Sequence, residues 1–112
     1  MPNVANLVRS IGGYVAVTAG TTQTQAGATA LAGQVNHVTT GNASDGVLLP
    51  TGRAPGETVT VLNLSAVALK VYPASTGAIN AGTASAAYSQ TASKSAQYVS
   101  SGDNNWVVIQ SA

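Results

Sequence analysis

Residues 59–80 read VTVLNLSAVALKVYPASTGAIN. β-Branched and large apolar residues alternate with small or polar ones over residues 58–64 and again over 68–73. That is the period-two pattern of half-buried strands. The short link at residues 65–67 predicts a β-hairpin, and the small and turn residues after Pro73 predict a loop. Lys70 is the only charge in the stretch. The clearest pattern in the chain therefore concerns packing and carries almost no reactive chemistry.

Working outward, the same signals recur. Residues 14–18 (YVAVT) and 34–40 (QVNHVTT) read as strands, and GNASDG closes the second with turn residues. Residues 47–50 (VLLP) read as a short buried strand stopped by proline, followed by the loop TGRAPGE. SAAYSQ and SAQYVS predict two more strands, GDNN a turn, and residues 106–110 (WVVIQ) the closing strand. Residues 19–33 match no period well; they are expected to be a loop or one poor strand at residues 21–25. About eight short strands with regular turn signals and no long helical pattern predict an all-β domain, a small β-sandwich, jelly-roll-like fold or barrel. Domain organisation is an N-terminal arm over residues 1–13 and a single β-domain over residues 14–112.

The first twelve residues, MPNVANLVRSIG, differ from the rest. Val4, Leu7, Val8 and Ile11 give them an apolar stripe, and Gly12-Gly13 breaks any helix. Two readings fit: a contact arm reaching a neighbour, or a first strand laid on the domain's own sheet.

Composition narrows the function. The chain has 112 residues, enough for one domain. Charged residues make up 6% of it, against about 25% in ordinary domains, and phenylalanine and cysteine are absent. A formal net charge of +1 gives no electrostatic footprint for nucleic acid or an anionic membrane. The uncharged stretch between Arg9 and Asp45 is rich in Thr, Gln and Gly, so it is not the apolar run of about twenty residues that a membrane helix needs. Gly12 and Gly13 also interrupt the only signal-peptide-like stretch, and no targeting segment is expected. Much of the apolar content is alanine. A thin core of this kind gains from burial against other subunits.

Catalytic constellations are missing. His37 is the single histidine, and no GxSxG elbow accompanies it. Asp45, Glu57 and Asp103 sit in turn contexts, where carboxylates serve local hydrogen bonding; none is paired as glycoside hydrolysis requires. No His, Cys or carboxylate cluster has metal-ligand spacing. GAINAGT lacks the lysine of a P-loop. The Asn-x-Ser matches at Asn42 and Asn63 have meaning only in a secretory pathway. The expectation is a protein without enzymatic activity, cofactor, metal or small-molecule substrate.

Residues 34–82, with VNHVTT, GVLLP and GETVTVLNLSAVALKVYPASTGAIN, followed by NNWVVI, resemble a β-rich module of small virion proteins of tailed bacteriophages, found in head decoration (cement) proteins and in tail-fibre proteins. The resemblance spans about residues 34–109 and rests on structural motifs. It implies a decoration protein on the capsid surface of the virion, present in host cytoplasm during assembly, binding the major capsid protein as a homo-oligomer, typically a trimer, and stabilising the shell. Under that reading Val4, Leu7, Val8, Arg9, Ile11 and Arg53 are the candidate capsid or inter-subunit contacts. Tyr72, Tyr88, Tyr98 and Trp106 are expected to be core aromatics. In the alternative, a receptor- or carbohydrate-binding tip module of a fibre or spike, the same four aromatics form a stacking platform for sugars.

Overall fold

The computed structural model describes residues 13–111. The contact arm expected over residues 1–12, with Val4, Leu7, Val8, Arg9 and Ile11, lies outside the described residues. Nine strands and no helix are described: β1 (Tyr14–Thr18), β2 (Thr29–Ala30), β3 (Val35–Thr39), β4 (Gly46–Leu48), β5 (Thr58–Asn63), β6 (Leu69–Tyr72), β7 (Tyr88–Gln90), β8 (Lys94–Gly102) and β9 (Asn105–Gln110). They form a five-stranded sheet, β1-β3-β5-β8-β9, and a four-stranded sheet, β2-β4-β6-β7.

The first six strands alternate between the two sheets. β1, β3 and β5 are mutually parallel in the larger sheet, and β2, β4 and β6 are mutually parallel in the smaller. The chain thus winds back and forth across one core three times before the antiparallel strands β7, β8 and β9 close it. The expected hairpin is corrected here. β5 and β6 are not a hairpin: residues 64–68 carry the chain from one sheet to the other. Of the two readings of residues 19–33, the loop holds over residues 21–25, and the second strand is the two-residue β2 further along. The expected eight strands are nine.

Alternation decides which side chains meet in the middle. Val59, Val61 and Asn63 of β5 face Leu69 and Val71 of β6, with Val38, Val47, Leu49, Ala96, Tyr98 and Trp106 completing the buried set. Val17, Tyr88 and Val108 pack against it from its rim. Most of these are small or β-branched, and Trp106 and Tyr98 are the largest fully buried residues.

Polar side chains inside this core hold the crossings. Asn63 Nδ2 donates to Val67 O (3.0 Å) on the β5–β6 crossing and to Thr91 O (3.3 Å) on the β7–β8 crossing. Its Oδ1 accepts from Thr40 Oγ1 (3.1 Å) where β3 departs for β4. Ser65 reinforces the junction, its Oγ accepting from Thr40 N (3.0 Å) and its carbonyl from Ser93 N (3.0 Å). At the opposite end Asn36, fully buried, exchanges bonds with Gly33 N and O at 3.0 and 2.9 Å. The unpatterned residues 19–33 are tied down similarly. Gln25 Nε2 donates to Pro73 O (2.6 Å), and Gln23 Nε2 to the buried carboxylate of Asp45 (3.3 Å).

Replacing Asn63 by leucine leaves the Thr40 hydroxyl and two crossing carbonyls without their partner. Each orphaned group costs about 1–3 kcal/mol, so Asn63→Leu should lose about 3 kcal/mol or more in chemical denaturation. Leu64→Ala, one residue along but exposed, should stay within about 0.5 kcal/mol of the parent.

Candidate docking face

The groups considered for catalysis are scattered. His37 lies on the outer face of the larger sheet, with its Nδ1 2.7 Å from the Tyr14 hydroxyl and the rings edge-on at 6.1 Å. Asp45 is buried in the turn before β4, where its Oδ2 accepts from Asn42 N (3.2 Å). Glu57 Oε1 accepts from Ala54 N (3.3 Å) within its own loop. Asp103 and Asn104, both with positive φ (55° and 63°), form the β8–β9 turn. The carboxylates therefore occupy three separate turns, and no group of three potential metal ligands exists among the described residues. The GAINAGT loop serves as structure: Ala78 O accepts from Trp106 N (2.9 Å), and Asn80 N donates to Trp106 O (2.8 Å).

Two open clefts of about 500 and 550 Å³ meet at Arg53. The first is lined by residues 32–34 and 56–59, the second by Pro55 and the β8–β9 turn. Arg53 is 41% exposed and lies 3.8 Å from Glu57. At that exposure the pair contributes little to stability, so the guanidinium remains available to a partner.

The four aromatics do not gather on one surface. Trp106 and Tyr98 are buried, Tyr88 stands edge-on to Tyr98 at 6.2 Å, and Tyr72 lies half-buried on the outer side of the smaller sheet over Gly46. A Cβ at Gly46 would come within 2.8 Å of the Tyr72 ring, so glycine is required beneath it. The Tyr98 hydroxyl donates to Gln90 Oε1 (2.7 Å), and Gln90 Nε2 donates to Val61 O and Lys94 O (both 3.0 Å). Trp106 Nε1 finds no partner among the described residues.

What the structure does gather is one face. By register, Tyr14, Val35, Thr60, Gln97 and Ile109 form a row across the outer side of the larger sheet. Ala16, His37, Leu62 and Ser95 form the next row, and Thr58, Val99 and Val107 a third. None of these residues is charged. The exposed large hydrophobics among the described residues are Tyr14 (62%), Leu64 (59%), Val107 (49%) and Ile109 (61%), and the register places Tyr14, Val107 and Ile109 on this side. Sequence reading missed the face because the apolar run WVVIQ does not show which of its side chains turn outward; only Trp106 of that strand is fully inside.

No family model matches the chain, and no curated protein sequence matches it.

Burial raises the Tyr98 hydroxyl's pKa above its ordinary value, with the nearby Tyr88 adding to the effect. The folded state thus resists ionisation that the unfolded chain undergoes near pH 10. The stability tied to this group is present below about pH 10 and is lost as pH rises beyond it. Melting curves from pH 8 to 11 should show an alkaline decline that is shallower in Tyr98→Phe. At neutral pH the same variant should lose about 1–3 kcal/mol, because Gln90 Oε1 is left unpaired.

Proposed function

We propose that this chain is a structural virion protein of the capsid-decoration type, which binds the outer surface of a capsid as an oligomer, a trimer by resemblance, and stabilises the shell without catalysis. The observation that carries the reading is the uncharged outer face of the larger sheet, with three of the four exposed large hydrophobics of the described residues, Tyr14, Val107 and Ile109, on it. Exposed apolar side chains at the two edges of this face, Tyr14 on β1 and Val107 and Ile109 on β9, offer anchors to a partner laid across it. An interface made from Thr, Gln, Val, Ile and Tyr also buries no unpaired charge, which would otherwise cost several kcal/mol per ion.

The sheet architecture favours the same conclusion. Parallel strands normally occur where both sides of the sheet are covered. Here the parallel strands β1, β3 and β5 face the smaller sheet on the core side, and no described strand packs on their other side, where Tyr14, Ala16 and Thr39 are exposed. The major capsid protein is the partner that the phage resemblance implies for that side. Arg53, exposed where the two clefts meet, adds a charge-assisted contact at the rim. A sugar-stacking platform draws no support from Tyr98 and Trp106, which are buried.

Val107→Asp and Ile109→Asp change exposed side chains, so both variants should fold normally. Each places a carboxylate in the contact and should weaken binding to undecorated particles at least about tenfold, equivalent to about 1.4 kcal/mol. Co-sedimentation at fixed particle concentration measures this. Unchanged binding by both variants would remove the face from the interface.

A further inference from the structure

The docking face holds one group whose charge changes near neutral pH. His37 is the single histidine of the chain. It sits on β3, where the register places Ala16 of β1 on one side and Leu62 of β5 on the other. The imidazole is half-buried, its Nδ1 lies 2.7 Å from the Tyr14 hydroxyl, and the two rings meet edge-on at 68°. Tyr14 is itself one of the exposed anchors of this face. The bond therefore ties the titratable ring to a side chain that a partner must touch.

No charged side chain faces His37 from the strands beside it. β1 and β5 present Tyr14, Ala16, Thr60 and Leu62 around it, and Tyr14 is the one titratable group among them. The carboxylates of the described residues lie elsewhere: Asp45 is buried before β4, Glu57 bonds within its own loop, and Asp103 belongs to the β8–β9 turn. Of the cations, Arg53 is in the loop before β5, Lys70 is in the smaller sheet, and Lys94 starts β8, two strands away.

In the neutral ring one nitrogen donates and the other accepts, so the Tyr14 hydroxyl can pair with Nδ1 in either tautomer. Acid changes this. An imidazolium has two donors and a full charge, and imidazoles make that change between about pH 5 and 8. On the free protein, water carries the new charge. Beneath an apposed uncharged surface the cation would lose its water and gain no counter-ion, a cost that favours expelling the proton.

We propose that the partner covers His37 in its neutral form with an uncharged surface, so that docking is strong at neutral pH and weakens in acid. The inference rests on the decoration reading, and it adds the chemistry of the partner's contact and a means of regulating it. The free protein takes up a proton that the complex refuses. Affinity therefore falls as pH falls, by up to about tenfold per pH unit for one proton.

Co-sedimentation of the full-length protein with undecorated particles at several pH values from 7.5 to 5.5 tests this. His37→Gln and His37→Asn keep a neutral hydrogen-bonding side chain and serve as controls for titration of the particles themselves. Circular dichroism fixes the range in which all three proteins stay folded, and affinities are compared within it. The parent should lose about tenfold in affinity relative to the variants over that range. Its loss should follow the midpoint of the His37 ring resonances in the isolated protein, which a single histidine reports without overlap. Equal pH responses in parent and variants would overturn the inference while leaving the decoration reading standing. A parent that gains affinity in acid relative to the variants would also overturn it, because the partner would then present a carboxylate to His37. No binding at pH 7.5 by any of the three would overturn the decoration reading and this inference with it.

Discussion

The carboxamide of Asn63 is the point on which the winding depends. A chain that passes repeatedly between two sheets must turn at each pass, and each turn carries backbone groups into a region that water reaches poorly. Those groups must find partners within the protein. Asn63 supplies them for three passes at once, bonding Thr40, Val67 and Thr91 from one buried position. A carboxamide suits the site because it donates and accepts without adding a charge. With only 6% charged residues in the chain, neutral amides do work that salt bridges do elsewhere. Asn36 at the opposite end and Gln90 beneath Tyr98 show the same economy.

This internal arrangement shapes the surface. Inward side chains of both sheets fill a thin core of valine, leucine and alanine, with Trp106 and Tyr98 its largest members. The rows facing the other way from the larger sheet are neutral and partly apolar, and of the charged residues described, Asp45, Arg53, Glu57 and Asp103 sit in loops and turns, Lys94 at the start of β8, and Lys70 within β6 of the smaller sheet. The division between a neutral face and charged margins suits a protein that presses a flat surface against another. It fits a solitary soluble monomer poorly, since exposed charge is what keeps such surfaces apart.

Much of the strand content was legible in the sequence, because β-branched alternation over YVAVT, QVNHVTT and TVTVLNL needs no tertiary information. The order of the strands was not. Alternation says which side chains share a face but not to which sheet a strand belongs. A three-residue gap between two such runs therefore looks like a hairpin, whether the chain turns back within one sheet or crosses to the other. What distinguishes the two is Asn63 turning inward to bond the crossing, a long-range contact without a local signature. The loop at residues 19–33 was unreadable for a similar reason: Gln23 and Gln25 act through partners at Asp45 and Pro73. The docking face escaped notice because an edge strand apolar on both sides, such as β9, has the same composition as a central one. The absence of catalytic spacing was legible, since His37 and the three carboxylates are too few and too widely separated in sequence to suggest a site.

The central claim is that this neutral sheet face is where the protein meets a capsid. A cryo-EM reconstruction of particles carrying the protein tests it most directly, through copy number and orientation together. The account predicts copies in regular positions over the shell, in a fixed small ratio to the major capsid protein, with the outer face of β1-β3-β5-β8-β9 against the capsid lattice. A handful of copies confined to the tail, or shell-bound copies presenting that face to solvent, would contradict it.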